Sequence, residues 1–319
     1  MDPRRALRPG CGTGYQWTFE DEQERADFST PGQPMSRLAV LINPRSGSVP
    51  ADAESQLRHA LEELGESAEF QLLDQEDICQ PIDECYDTRP DAVIVWSGDG
   101  TVACALERAG ADGPPILPLP GGTMNLFHKQ IHGDALDWRE CLEKSLKQGQ
   151  QIDVPAGCAG DRRFYVAAMA GKLTDLAGPR EALRGGRVFE AVERLAGADV
   201  LDFTHAMQFK MKDAQGAEAS GVATAAAIFV GTQRDSEFEF AFINPDNTLE
   251  LASAGIGALI SDWREANGVT TLKAPRIRLE DSKGYDLRLT LDGEPARLKS
   301  GTEFHRIAKA GRAISAGYE

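Results

Sequence analysis

Through the first half of the chain, apolar residues gather into short unbroken runs, and the stretches between them carry helical spacing. Leu38-Ala39-Val40-Leu41-Ile42 is continuous in the way expected of a strand covered on both faces of a parallel sheet. A loop, Asn43-Pro44-Arg45-Ser46-Gly47-Ser48, follows it, and then Leu57, Ala60, Leu61 and Leu64 recur on one helical face. Phe70–Leu73, Asp91–Trp96 and Ile116–Leu119 predict three more strands. Asp91–Trp96 runs directly into Ser97-Gly98-Asp99-Gly100-Thr101 and a helix, and Ile116–Leu119 ends at Pro120-Gly121-Gly122-Thr123-Met124-Asn125. Strands alternating with helices predict a doubly wound α/β domain, in which ligands sit at the carboxyl ends of the strands. All three glycine-bearing loops fall at such ends.

After about Asp153 the pattern changes. Short strand-like stretches follow one another at 164–168, 203–211, 222–230, 248–251, 276–280 and 287–291, interrupted by helical patterns at 188–196 and 256–266. This texture predicts a β-rich, antiparallel, sandwich-like second domain. The expected organisation is a disordered tail over 1–34, an α/β domain over 35–152, a β-rich domain over 153–308, and a segment over 309–319 that returns to the first domain. Residues 1–34 are rich in Pro, Gly and charge without apolar periodicity, and Met35 lies just before the first strand, so an upstream start is one reading of the tail.

Composition adds exclusions. The 319 residues are 41% hydrophobic and 26% charged, which allows a packed core. A net charge of −16 argues against a general nucleic-acid binder, which needs a basic face. The six cysteines form no Cys-x-x-Cys pair and read as free thiols of a reducing compartment. No apolar run reaches the roughly 18–20 residues of a spanning helix. Arg4, Arg5 and Arg8 precede no apolar segment of a secretory signal. The expected location is cytoplasmic, with any membrane contact peripheral.

The loops carry the chemistry. Gly47 lets backbone approach a phosphate, with Ser46 and neighbouring amides as donors, although Asn-Pro after a strand is also ordinary turn chemistry. Gly98 and Gly100 permit a sharp turn, and Thr101 opens a helix whose N-terminus favours anionic oxygens. Asp99 fits three roles: Mg²⁺ ligand through water, orienter of an incoming hydroxyl, or helix N-cap. Gly122-Thr123-x-Asn125 repeats the design. Farther on, Asp292-Gly293 reads by itself as a hairpin turn.

Taken together, Asn43-Pro44-x-Ser46-Gly47, Gly98-Asp99-Gly100-Thr101, Gly122-Thr123-x-Asn125 and Leu291-Asp292-Gly293-Glu294 resemble the motifs of the diacylglycerol kinase catalytic domain, a family that includes bacterial lipid kinases and the sphingosine and ceramide kinases. The resemblance spans nearly the whole chain from Leu38 onward. It implies ATP and Mg²⁺ as cofactors and a membrane lipid hydroxyl as acceptor. It implies nucleotide contacts from Asn43, Pro44, Arg45, Ser46, Gly47, Ser97, Gly98, Asp99, Gly100, Thr101, Gly122, Thr123 and Asn125. It further implies that the Asp292–Glu294 turn crosses an interdomain cleft to supply the general base; Glu294 is favoured as proton acceptor with Asp292 positioning it, and both stay open.

Several positions depart from the family. Ser97 stands where many members have glycine, as it does in sphingosine kinases. Residues 170–175 match a family turn only loosely, and Asn244-Pro245-Asp246-Asn247-Thr248-Leu249 replaces an Asp-Asp-Gly-Leu stretch, where Asp246 would keep a structural metal. Lys172, Arg180, Arg184 and Arg187 precede an apolar face of Val188, Phe189, Val192 and Leu195, the pattern of a cationic membrane-surface element or of an ordinary surface helix. His128 and Lys129 are either phosphate contacts or a solvated helix turn. The competing functions are a NAD kinase-like small-molecule kinase, which shares a Gly-Asp-Gly-Thr loop, and a non-catalytic nucleotide-binding regulator. The acceptor lipid (diacylglycerol, ceramide or a sphingoid base) and a homodimer stay open.

Overall fold

The computed structural model describes residues 37–123, 125–133, 136–171, 206–243 and 269–317. The chain divides into two units, residues 1–155 with 308–319, and residues 156–307.

In the first unit, β1 (Leu38–Ile42), β2 (Ala68–Leu72), β3 (Ala92–Ser97) and β4 (Ile116–Pro120) are parallel in the order β2-β1-β3-β4. Every residue of β1 and β3 is buried, which is why their sequences are continuous apolar runs with no alternation. The helices α1 (Ala53–Glu63), α2 (Cys79–Asp87), α3 (Asp99–Ala109), α4 (Leu126–His132) and α5 (Trp138–Gln148) connect and cover them. Helix α1 buries Leu57, Ala60 and Leu61 into a core with Val40, Ile42, Ile94, Trp96, Leu117 and Leu142. Each buried leucine, isoleucine or valine of this set contributes about 1.5–3 kcal/mol. The sequence does not predict α2: Pro81 and a polar composition hide it, yet proline is tolerated in a first helical turn because no intrahelical bond is lost there. The strand order reverses between β1 and β3, so the loops after these strands flank the topological switch point where open α/β sheets bind ligands.

Two long strands, β5 (Gln150–Ala159) and β16 (Thr302–Ser315), carry the chain from one unit to the other. At its far end β16 belongs to the first unit, where Ala313 pairs in parallel with Ile116 of β4.

The second unit is antiparallel and β-rich, as the short strand-like stretches predict. Its further strands are β6 (Arg162–Phe164), β7 (Ala167–Gly171), β8 (Met207–Lys212), β9 (Glu218–Ala223), β10 (Ala225–Phe229), β11 (Phe238–Ile243), β12 (Val269–Ala274), β13 (Arg276–Asp281), β14 (Leu287–Leu291) and β15 (Glu294–Leu298). One sheet runs β12-β11-β10-β7-β14-β15; in the other, β13 pairs with both β16 and β8, and β8 with β9. Their shared core holds Phe209, Phe240, Phe242, Phe164, Phe304 and Ile277. Strand β8 alternates buried and exposed residues throughout, the period-2 signature of a half-buried strand. The predicted strand 222–230 is in fact two. The chain leaves β9 at Thr224, whose amide bonds to Ile243 O, and enters the other sheet as β10. The alternation of β9 gives way there to the buried run Ala225-Ala226-Ala227-Ile228. The predicted strand at 248–251 and the helices at 188–196 and 256–266 lie outside the described residues.

Candidate active site

Three loops leave the carboxyl ends of the adjacent strands β1, β3 and β4, and side-chain and backbone bonds tie them together. Asn43 Nδ2 donates to Thr101 Oγ1 at 3.1 Å, while its Oδ1 accepts from Arg45 N at 3.0 Å. Ser46 Oγ accepts from Gly98 N at 3.1 Å and lies 3.0 Å from Ser97 Oγ. Ser48, which the sequence reading passes over, donates its amide to Gly121 O and its hydroxyl to Gly122 O. Its signal was the Ser46-Gly47-Ser48 run itself, two hydroxyls around a glycine. Gly122 N donates to Asn125 Oδ1 at 2.7 Å, with Asn125 in the left-handed region at φ 50°. Trp96 Nε1 donates to Pro120 O, anchoring the end of β4.

Glycine is required where the loops cross. A Cβ on Gly122 would lie 2.8 Å from Gly98 Cα, and one on Gly121 the same distance from Ser97 N. On Gly100 it would meet nothing within 4 Å. The glycine of Gly98-Asp99-Gly100 that faces the other loop is therefore Gly98, and Gly100 lines open space.

These bonds also show which amides are already committed. Ser46 N donates to Asn43 O, Gly98 N to Ser46 Oγ, and Thr101 N to Gly98 O. Asp99 and Gly100 are the first two residues of α3, ahead of any intrahelical acceptor, so their N–H groups point out of the helix N-terminus. The donors this rim offers an anion come from Asp99 and Gly100, with exposed Gly47 and Thr123 beside them. That is a narrower set than the whole of Ser46–Gly47 and Gly98–Thr101.

Asp99 has a structural duty that the sequence did not show. The N-cap of its own helix is Gly98, and the Asp99 carboxylate instead accepts from Leu126 N at 3.2 Å and Phe127 N at 2.9 Å, capping the start of α4. Each oxygen keeps lone-pair capacity beyond these bonds, so the carboxylate suits a cation held through water. His128 is neither a phosphate contact nor a solvated residue. It is buried, with Nδ1 3.1 Å from Pro118 O and Nε2 3.4 Å from Leu136 O, whereas Lys129 is exposed. His132 is held neutral: burial, then the neighbouring His128, lowers it to about 3. Its Nε2 lies 3.1 Å from Pro118 O and its Nδ1 accepts from Ala316 N. These two rings and Cys141 lie close enough to hold a metal ion. Both nitrogens of His132 are in use, however, and burial pushes the Cys141 thiol up to about 12, so the group reads as packing.

The remaining assigned residues belong to the second unit. Asp292 and Gly293 form the two-residue turn between β14 and β15, at φ 48° and 81°, a primed hairpin turn. The Asp292 carboxylate accepts from three consecutive amides, Tyr165 N at 2.7 Å, Val166 N at 2.8 Å and Ala167 N at 3.0 Å. Glu294 follows as the first residue of β15 and is exposed. Asp246 and the basic residues Lys172, Arg180, Arg184 and Arg187 lie outside the described residues. Cys79, Cys85, Cys104 and Cys141 are free thiols, as their spacing predicts. Among the described residues no helix is long and apolar enough to cross a membrane.

A parallel α/β unit with three glycine-bearing loops at the carboxyl ends of its strands is thus followed in the chain by an antiparallel β-rich unit. Residues 37–157 match the family model of the diacylglycerol kinase catalytic domain, so the resemblance read from the three loops holds over that span. Over residues 37–157 the chain is similar to the catalytic domain of this family. Its fold is also that of a crystal structure of a diacylglycerol kinase from Bacillus anthracis (Sterne), with a TM-score of 0.63 at 16% identity over 90% of this chain and 98% of that one. A candidate diacylglycerol kinase from the same organism matches with a TM-score of 0.66 at 16% identity and the same coverage.

Proposed function

We propose that this protein is an ATP-dependent lipid kinase that transfers the γ-phosphoryl group to the hydroxyl of a diacylglycerol-like or sphingolipid-like acceptor. The observation that carries the reading is the pair of amides at Asp99 and Gly100, which have no acceptor among the described residues and stand where the glycines of two adjoining loops cross. Phosphoryl transfer asks chiefly for positioning and charge neutralisation, and such a rim supplies donors fixed in advance. Neutralising charge on the β- and γ-phosphate oxygens is the chemistry a bound Mg²⁺ supplies, and Asp99 is the described residue whose donor set suits holding it. The acceptor hydroxyl must lose a proton. Asp292 spends its carboxylate on three amides, so we assign that proton to the exposed Glu294, with Asp292 fixing the turn that carries it. Contact with the membrane is peripheral in this reading, sufficient to reach a lipid headgroup.

The test is a radiolabelled ATP assay with Mg²⁺ on mixed micelles holding diacylglycerol, ceramide or sphingosine separately, with NAD as a soluble control. Label in one lipid is the expected result and names the acceptor. Label on NAD alone, or ATP binding without transfer to any acceptor, would overturn the assignment.

A further inference from the structure

Cys79 is the first residue of α2 and Cys104 lies in the middle of α3, with their Sγ atoms 3.5 Å apart. Both are free thiols and only partly buried. The two helices are also held together farther along both of them, C-terminal to this contact. Tyr86 Oη donates to Ala105 O at 2.7 Å, and Arg108 forms an ion pair with Asp83. The thiols therefore face each other across a fixed seam, and a disulfide of about 2.05 Å would need roughly 1.5 Å of closure, within the reach of side-chain rotation. Neither sulfur takes part in the loop network described above. Yet α3 is the helix whose first turn supplies the Asp99 and Gly100 amides.

We propose that Cys79 and Cys104 form a reversible dithiol–disulfide site, oxidised by low-molecular-weight disulfides such as glutathione disulfide, that pins α2 to the helix bearing the phosphate loop. Cys79 is the attacking sulfur. Its position at a helix N-terminus and the facing thiol favour the thiolate. Its pKa is lowered to about 7, chiefly by the hydrogen bond with Cys104; burial and Asp77 oppose this, and Arg108 assists. The same bond, with burial and the nearby Glu107 and Asp77, raises Cys104, which suits it to act second. The Cys79 thiolate attacks one sulfur of the oxidant, forming a mixed disulfide and releasing one thiolate. Cys104 then loses its proton and attacks Cys79 Sγ, expelling the second thiolate. Two protein thiols and one small disulfide become one protein disulfide and two small thiols, so the protein gives up two electrons.

The test treats the full chain with glutathione disulfide, traps remaining thiols by alkylation and maps peptides by mass spectrometry. A linked Cys79–Cys104 peptide is expected, lost again on reduction. Cys104→Ser should stop at a glutathione adduct on Cys79, and Cys79→Ser should give neither product. The wild-type rate should level off above about pH 8, where an ordinary thiol would still be gaining thiolate. Amide exchange in the peptide covering 98–104 should slow several-fold in the oxidised protein. A wild-type chain that accumulates the Cys79 adduct without the internal link would overturn the proposal, as would a link that leaves exchange at 98–104 unchanged.

Discussion

Asp99-Gly100 in the first unit and Asp292-Gly293 in the second are the same dipeptide put to different ends. Asp99 opens a helix and reaches across to cap the next one, taking two amides of α4 while the amides beside it point outward. Asp292 closes a hairpin and takes three consecutive amides at the start of β7 and just before it. A carboxylate bound by backbone organises its neighbourhood in both places, but only the helix N-terminus leaves donors over for a ligand. In the proposed function, the first unit is accordingly the one that receives the anion. In the second, the exposed carboxylate of the motif is Glu294, and Asp292 serves the fold.

That contrast makes the two units respond differently to substitution. The largest effect is expected from Asp292→Ala, which strips three partly buried amides of their acceptor and removes a residue suited to positive φ. A loss of about 4 kcal/mol in unfolding stability should appear in chemical denaturation, with Asp292→Asn recovering part of it. A loss under about 1 kcal/mol would mean that the three bonds are incidental.

Acid should strike the first unit through His132. Its folded pKa, lowered to about 3, lies below the ordinary 6.5, so the unfolded chain binds a proton that the folded one refuses. Stability is complete above pH 6.5 and drains as pH falls toward 3. The loss should be about 3 kcal/mol by about pH 4, and His132→Gln should flatten that slope. An identical acid slope in the variant would remove the assignment.

A smaller, sharper contrast lies within the loops. Gly122→Ala drives a methyl into Gly98 Cα and should cost about 2 kcal/mol while weakening ATP binding. Gly100→Ala meets open space, and its stability should shift by no more than about 0.5–1 kcal/mol, toward the more stable side because alanine suits a helix better. Equal penalties at the two glycines would show that the loop crossing does not matter.

Much of this was legible from residues alone because the first unit buries β1 and β3 on both faces, which leaves runs that no other element explains. The motif glycines were legible for the same reason: a sharp turn at a strand end demands them. The long-range partners were not. Nothing local links Asp99 to the amides at 126 and 127, or Asp292 to 165–167, because those pairings exist only once the chain has folded. Helix α2 was hidden by Pro81, and the break at Thr224 by apolar residues on both sides of it. His128 carried no sign of burial, because its carbonyl partners at 118 and 136 come from neighbouring segments.

The division of labour between the units can be read directly by calorimetric ATP titration of the wild type, Gly122→Ala and Glu294→Gln, alongside lipid kinase turnover. The account predicts that Gly122→Ala loses ATP affinity by about tenfold or more. Glu294→Gln should bind ATP as the wild type does but turn over about 10²–10⁴-fold more slowly. Full turnover in Glu294→Gln, or unchanged ATP affinity in Gly122→Ala, would contradict it.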